Sequence, residues 1–550
     1  MKTSQTGRQR TRAFFTDQAK KTIRQPSRIF IVPYNIARSW RSLRPVFFLI
    51  EQIAKTVRQP ARIIALWAHM GIVARSTLAG VLLRNNAVSR YLFLVGKRWL
   101  PTQTLSLAAR RYFEIGHRHL DANEPEAAWR AFRSCLKFSA DPIHYFVAAI
   151  CLMVGLGRFQ EAMALFTRAN ELLRGRAKSF GIEDAKLRYL EPLWAGGFGH
   201  LAQMDYFIKL EIMEGRKYGD TILHVPRGFA VPNKFLLDQW RPFLKIIEDE
   251  KDFPLPADAF KSLSFNFLAP RLPDGSTVHL WQIGADTYRR WEGERRKPLL
   301  RLSPEIERRG WQVLQRTGIP RDAWFVALHV REAASKQYHA QLHDVLNADI
   351  ETYLPAIEEI VRRGGWVIRI GDPAMKALPP LPNVFDYCHS AHRADWMDIF
   401  LCASCRFFVG TSSGPAYVPT DFGKPCVHTN WWPPAQRPWH GRDIFLPKLY
   451  RKIRSSEYLT LSQSLREPFG YCNSMTYLKA ARGVEVVDNS SDDICAAIVE
   501  MLDRVENKIK YESDDLKRRE RAEYIYRSND VHGAAVLARS FMQKHEFLLD

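Results

Sequence analysis

Three times between residues 324 and 430 a short apolar run stops at a polar corner. Phe325–Val330 stops at His329-Val330-Arg331, Trp366–Ile370 at Gly371-Asp372, and Phe407–Val409 at Gly410-Thr411-Ser412-Ser413-Gly414. Amphipathic or mixed segments separate the runs: "IETYLPAIEEIVR" at Ile350–Arg362 and "DWMDIFLCAS" at Asp395–Ser404. Largely apolar runs of strand length, each followed by a helix, read as strands buried on both faces of a parallel sheet. Parallel neighbours need a crossover helix, and the spacing provides one. With "CVHTNWWP" as the next strand, residues 324–446 form a β-α-β-α-β unit. A helix begins at the Gly-Thr-Ser-Ser-Gly corner and ends at Phe422-Gly423-Lys424-Pro425. The fold class is α/β, and all three corners fall at the carboxyl edge of one sheet, where open parallel sheets bind ligands.

A second unit of the same grammar precedes it. "EPLWAGGFGHLAQMDYFIKLEIMEG" places Gly196, Gly197 and Gly199 before a helix starting near His200, and "DTILHVP" reads as the following strand. The glycine spacing is not the dinucleotide fingerprint, and no phosphate-loop motif occurs. The expected layout is a Rossmann-like domain over 179–320, a second over 321–500 and helices over 501–550, the last crossing back to the first domain. The intervening Glu332–Asn347 is long and polar, as functional loops often are. Residues 106–178 give two helical hairpins 34 residues apart, with Ala128, Phe132 and Cys135 recurring as Ala162, Phe166 and Ala169. Gly116 and Asp141-Pro142 sit where a tetratricopeptide-like repeat has its packing glycine and helix stop. The second hairpin has Ile150 in place of that glycine, and two units are fewer than a free-standing solenoid needs. They serve as a partner-binding module or as a structural connector packed on its neighbours.

Charge separates the first hundred residues from the rest. The chain has a formal net charge of +22, yet residues 1–100 hold 19 Lys and Arg against 2 acidic residues and the other 450 hold 61 against 56. Between these charges lie Phe, Trp, Ile and Leu, as in "RIFIVPYNIARSWRSLRPVFFLIEQIAK". Such a mixture suits helices lying in an anionic lipid interface better than a nucleic-acid arm, or a basic helical scaffold packed on its own protein. The segment 1–105 is therefore expected to be basic and amphipathic, its partner a membrane surface and not nucleic acid. No run reaches the roughly 20 apolar residues of a span, and no signal peptide is visible. Two phrases, "KTIRQPSRI" at Lys21–Ile29 and "KTVRQPARI" at Lys55–Ile63, match at seven of nine positions and read as two similar helical hairpins. Eight scattered cysteines fit reduced thiols in a cytosolic setting. Only Cys402 and Cys405 have a metal-like spacing, and without a second close pair no metal site is expected.

The corners carry the chemistry. His329-Val330-Arg331 offers a guanidinium fork, Gly371-Asp372 a carboxylate, and Gly410–Gly414 backbone N–H groups with hydroxyls. This set suits a nucleoside diphosphate. Each residue has a structural alternative: His329 as a satisfied core histidine, Arg331 in a salt bridge, Asp372 capping its turn, Ser412 and Ser413 capping a helix.

The motifs "LHVRE", "NADIETYLPAI", "GGWVIRIGDPAM", "FLCASCRFFVGTSSGP" and "TNWWPP" resemble a family of bacterial GT-B-type glycosyltransferases associated with surface carbohydrate, over roughly residues 190–450. More distantly the chain is similar to fucosyltransferases, whose His-x-Arg strand end corresponds to Arg331. It is also similar to heptosyltransferase-like enzymes, whose corner before a Gly-Lys-Pro turn resembles Gly410–Pro425. The resemblance implies a GT-B-like pair of Rossmann-like domains and a metal-independent hexosyl or deoxyhexosyl transferase without cofactor. A GDP- or UDP-linked sugar would be its co-substrate, and a surface carbohydrate, lipid-linked or protein hydroxyl its acceptor. Arg331 and Thr411–Gly414 would stabilise the leaving diphosphate. The general base is sought among His200, Glu332 and Asp349, with Gly197, Gly199 and His200 on the acceptor side. No persuasive Asp-x-Asp metal motif is present. A sugar-nucleotide epimerase of the same fold, or a helical-repeat scaffold with a degenerate α/β part, are the rival readings. The expected location is the cytoplasm, on the inner face of the cytoplasmic membrane.

Overall fold

The computed structural model describes residues 102–332 and 345–550. The basic segment, its two repeated phrases and residues 333–344 of the long polar loop lie outside the described residues. The chain divides into two units, Met1–Leu107 and Ala108–Asp550.

The described residues open with helices α1 (Thr102–Asp121), α2 (Pro125–Cys135), α3 (Pro142–Ile150) and, after a π turn, α4 (Phe159–Ser179). The Asp141-Pro142 break starts α3, the Asp141 side chain accepting from the Ile143 amide at 3.3 Å. Ala128, Phe132, Cys135, Ala162, Phe166 and Ala169 are all fully buried. Gly116 makes room for the Phe132 ring, which a Cβ there would meet at 2.3 Å. The hairpins lie on the α/β body: the Gln160 amide donates to Glu467 Oε1 at 2.7 Å, the Asn473 amide to the Val154 carbonyl at 2.7 Å, and Asn170 Nδ2 to the Ala269 carbonyl at 3.0 Å.

A small parallel sheet follows, in the order β1 (Arg188–Leu190), β2 (Thr221–His224), β3 (Lys245–Ile247). Helix α5 (Phe198–Met213) connects β1 to β2, and every residue from Leu201 to Glu211 is buried. A helix covered on all sides lies between layers. One flank of α5 meets α6 (Leu280–Gly293) and the other meets residues 414–421 of the large sheet's corner. Its charged residues are paired inside: Lys209 with Asp205, and Glu211 with Arg188 and Thr221. Helix α7 (Pro304–Arg316), capped by Ser303, leads to the large sheet.

That sheet has seven strands, all parallel, in the order β12-β9-β8-β7-β4-β5-β6. Its members are β4 (Phe325–His329), β5 (Trp366–Arg369), β6 (Val384–Phe385), β7 (Phe407–Gly410), β8 (Cys426–Trp431), β9 (Ile444–Pro447) and β12 (Val536–Leu537). Strands β4, β7 and β8 are buried at every position, β4 and β7 through largely apolar runs and β8 with His428, Thr429 and Asn430 buried among its apolar residues. Helices α8 (Leu354–Arg362) and α9 (Asp395–Ser404) form the crossovers, α8 burying Ala356, Ile357 and Ile360 along one face. Buried apolar residues of both sheets belong to one contiguous core.

Three features go beyond the sequence expectation. The helix after the Gly410–Gly414 corner is only a 3-10 turn, Gly414–Ala416, and one short turn, Val418–Asp421, because Pro415 and Pro419 remove amide donors a longer helix would use. The strand of "GVEVV", β11 (Val484–Val487), pairs antiparallel with β10 (Leu449–Lys452) and does not extend the main sheet. The tail contributes β12 to the outer edge of the large sheet beside β9. Among the described residues no helix is long and apolar enough to cross a membrane.

Candidate functional site

Strands β4 and β7 are in register from Val326↔Phe407 to His329↔Gly410, so the His329–Arg331 and Gly410–Gly414 corners leave the sheet together. Their side chains are tied to each other. The Arg331 amide donates to Thr411 Oγ1 at 3.0 Å, Ser413 Oγ lies 3.0 Å from His329 Nδ1, and Ser412 Oγ accepts from the Trp432 amide at 2.6 Å. The three hydroxyls thus join the ends of β4, β7 and the residue after β8. His329 is buried, and burial first, then the positive charges of Arg331 and Arg369, push its pKa down to about 4. It is a neutral, hydrogen-bonded imidazole at pH 7. Arg331 is itself buried, its Nε donating to Asn347 Oδ1 at 3.2 Å.

The glycines of the corner face protein. A Cβ on Gly414 would lie 2.5 Å from the Gly199 amide nitrogen, and one on Gly199 would lie 3.1 Å from Gly414 Cα. The N-terminus of α5 is therefore seated on the β7 corner, and the glycines from two distant parts of the sequence meet. His200 follows immediately. Its Nδ1 donates to the Leu193 carbonyl at 2.8 Å and its ring packs on Phe267 at 4.3 Å. With the proton on Nδ1, Nε2 is the acceptor nitrogen, and it has no partner among the described residues. Burial lowers the His200 pKa, the Leu193 carbonyl opposing it, so the ring is neutral near pH 7. Gly197 is the N-cap of α5 and lies against the His200 ring.

The other expected residues take structural partners. Glu332 accepts from Arg369 Nη2 at 3.0 Å and from the Lys376 amide at 2.8 Å. Arg369, the last residue of β5, is fully buried, with Asp386 a second carboxylate at 3.6 Å. Asp372 is exposed and accepts from the Ala374 amide at 2.8 Å, closing the turn that Gly371 begins. Asp349 is exposed and accepts from the Glu351 amide at 3.0 Å. So Arg331, His329 and Thr411–Gly414 come together, Gly199 meets them at Gly414 with His200 next to it in the chain, and Asp372 and Asp349 act as local caps.

Sequence reasoning missed the polar floor of this edge. Tyr353 Oη lies 2.6 Å from Thr429 Oγ1 and accepts from Asn430 Nδ2 at 3.1 Å; Asn430 and Asn489 exchange two side-chain-to-amide bonds. Next to them Lys448 Nζ donates to the Asn347 carbonyl at 2.6 Å and to Asp488 at 2.7 Å. The one available signal was position, since Asn430 lies near the end of β8 and Lys448 immediately after β9. Two groups hold side chains of metal-ligating type close together: Asp386, Cys388 and His389, and Cys426, His428 and Asp443. Both are bonded internally, Cys388 Sγ to Asp386 at 3.0 Å and His428 Nε2 to Asp443 at 3.1 Å. Cys402 and Cys405 belong to neither, and burial pushes the Cys405 thiol up to about 12.

No family model matches the chain, and no curated protein matches it. Among solved structures it is similar to the ADP-heptose lipopolysaccharide heptosyltransferase II of E. coli, with 11% identity and a TM-score of 0.31 over 48% of this chain and 90% of that one. It is similar to a glycosyl transferase family 9 protein of Veillonella parvula, at 11% identity and a TM-score of 0.30, covering 66% of this chain and 96% of that one. The iron-containing dodecameric glycosyltransferase TibC of enterotoxigenic E. coli is similar over 44% of this chain and 57% of that one, at 13% identity and a TM-score of 0.27.

Proposed function

We propose that the chain is a glycosyltransferase that moves a sugar from a nucleotide-sugar donor to a hydroxyl acceptor. The donor domain would be 321–500 and the acceptor domain 179–320. The observation that carries this reading is the contact of Gly199 with Gly414, which sets His200 beside the corner whose other members are Ser413, His329 and Arg331. A transferase of this class needs a cation where negative charge grows on the leaving diphosphate and a base for the acceptor hydroxyl. Arg331 serves as the cation and its fork grips phosphate oxygens. His200 serves as the base, because its Nε2 is an unprotonated acceptor, whereas the Glu332 carboxylate already neutralises Arg369. The sequence resemblance supports a GDP- or UDP-linked donor and a surface-carbohydrate, lipid-linked or protein acceptor, metal-independent. Residues 1–100 would hold the enzyme peripherally on an anionic membrane, and the hairpins of 106–178 would receive a protein partner.

One observation favours a scaffold instead: the hydroxyls of Thr411, Ser412 and Ser413 all have partners within the chain. The test incubates the full chain with ADP-, GDP- and UDP-sugars and candidate glycan acceptors and follows nucleoside diphosphate release and product mass. A transferase releases the diphosphate with a glycosylated acceptor, and Arg331→Ala lowers that rate at least a hundredfold. An epimerised sugar nucleotide without release, or no turnover of any donor, overturns the proposal.

A further inference from the structure

Lys448 is a buried cation with no part in the site so far. It follows β9 directly, as Arg331 stands just past β4, so both leave the same carboxyl edge of the large sheet. Its side chain is 3% exposed, and its counter-ion, Asp488, is 45% exposed. Asn347 receives both cations: its Oδ1 accepts from Arg331 Nε and its backbone carbonyl from Lys448 Nζ. An ammonium has three donors, of which two are used here, and the third has no partner among the described residues. Burial lowers the Lys448 pKa, and Asp488 opposes that shift.

A lysine placed only to fasten Asn347 to β9 would be an expensive choice, because burying an ammonium costs more than an apolar residue of the same volume. An anion arriving at this edge changes that balance. The diphosphate of a sugar nucleotide carries two negative charges, and Arg331 alone supplies one positive charge.

We infer that Lys448 is a second cation for the donor's diphosphate, with Asp488 as the resting counter-ion that the diphosphate replaces. The inference rests on the transferase reading above. Arg331 would grip bidentately and Lys448 would act as a point charge with its free N–H. Asn347, at the end of the long polar loop, holds the two cations in fixed relation before the donor arrives. Because Asp488 is exposed, it can be displaced without leaving a buried carboxylate unpaired.

The experiment is calorimetric titration of the full chain with ADP, GDP and UDP and with the corresponding nucleosides. It compares the wild type with Lys448→Met and Asp488→Asn. Lys448→Met is expected to weaken diphosphate binding at least tenfold and leave nucleoside binding unchanged. Asp488→Asn is expected to tighten diphosphate binding at least threefold, since the competing anion is gone, and a merely structural ion pair predicts no such gain. Either variant binding the diphosphate within twofold of the wild type overturns the assignment. If Lys448→Met does not fold, the Asp488→Asn titration decides by the same threshold. A wild type that binds no nucleoside diphosphate removes the transferase reading itself, a result distinct from failure of the Lys448 assignment.

Discussion

Replacing Gly414 by alanine isolates the contact on which the site depends. The new Cβ would meet the Gly199 amide nitrogen at 2.5 Å, Phe198 Cβ at 2.9 Å and Phe198 carbonyl carbon at 3.2 Å. None of these is the free end of a flexible side chain. Ordinary contact begins near 3.4 Å, so the corner and the N-terminus of α5 must part by about 0.9 Å, an overpacking that costs about 2–3 kcal/mol. Gly199→Ala is the matched control across the same contact. Its Cβ would meet Gly414 Cα at 3.1 Å and the Tyr417 ring at 3.6 Å, a conflict of a few tenths of an ångström. Gly199 lies in the first turn of α5, where alanine recovers up to about 1 kcal/mol of helix propensity. The two substitutions add the same methyl to the same interface, yet Gly414→Ala should lower stability by about 2–3 kcal/mol and Gly199→Ala by less than about 1 kcal/mol. Urea unfolding at 25 °C reads this as a lower midpoint at unchanged slope. Equal effects, or a larger loss for Gly199→Ala, would refute the packing argument, and with it the claim that the two loops meet here.

Further predictions concern buried charge. Burial, then Asp205, raise the Asp421 pKa well above its ordinary value, with Lys209 opposing, so its site disfavours a carboxylate charge and Asp421→Asn should change stability by less than about 1 kcal/mol. Asp205 instead pairs with Lys209 and accepts from Tyr288 Oη at 2.6 Å, so Asp205→Asn leaves a buried ammonium unpaired and should cost about 3 kcal/mol by urea unfolding. His279 has both ring nitrogens buried without a partner among the described residues, and its pKa is pushed down to about 3 by burial and by His532. A folded pKa below the ordinary 6.5 means the unfolded chain binds the extra proton first. His279 therefore destabilises the fold increasingly as pH falls below 6.5, by about 3 kcal/mol near pH 4, and His279→Phe should remove that share of the acid slope in unfolding measured from pH 7 to 4. Glu332→Gln should cost about 2 kcal/mol, because the buried Arg369 keeps only one carboxylate, Asp386, beside the Lys376 carbonyl. His200→Ala should leave stability within about 1 kcal/mol and lower kcat without weakening nucleotide binding; the reverse pattern in turnover assays exchanges their roles.

The large sheet was legible because β4, β5 and β7 are almost wholly buried, so their sequence is apolar but for His329 and Arg369 at the strand ends. The short helix after the corner was not, since two prolines at four-residue spacing limit it in a way that a strand-glycine-helix pattern hides. The character of α5 was also hidden. Asp205, Lys209 and Glu211 give it the look of a half-exposed helix, and only the fold pairs them with one another, Tyr288, Arg188 and Thr221. His200 was reached from the glycines beside it. Lys448 was not, because its partner Asn347 is 101 residues away and neither position stands out locally. The corner hydroxyls were read as ligand donors, and their observed partners are strand ends, a distinction that depends on the register of β4, β7 and β8.

The central claim is tested most directly by thermal unfolding of the full chain against ADP, GDP, UDP and their nucleosides, with Arg331→Ala beside the wild type. At 100 times its dissociation constant a bound nucleotide stabilises by about 2.7 kcal/mol, a rise of about 3 °C for a cooperative unit of this length. One nucleoside diphosphate should give that rise in the wild type, with its nucleoside well below it and the Arg331→Ala protein unmoved. No rise with any diphosphate, or the same rise in Arg331→Ala, would contradict the account.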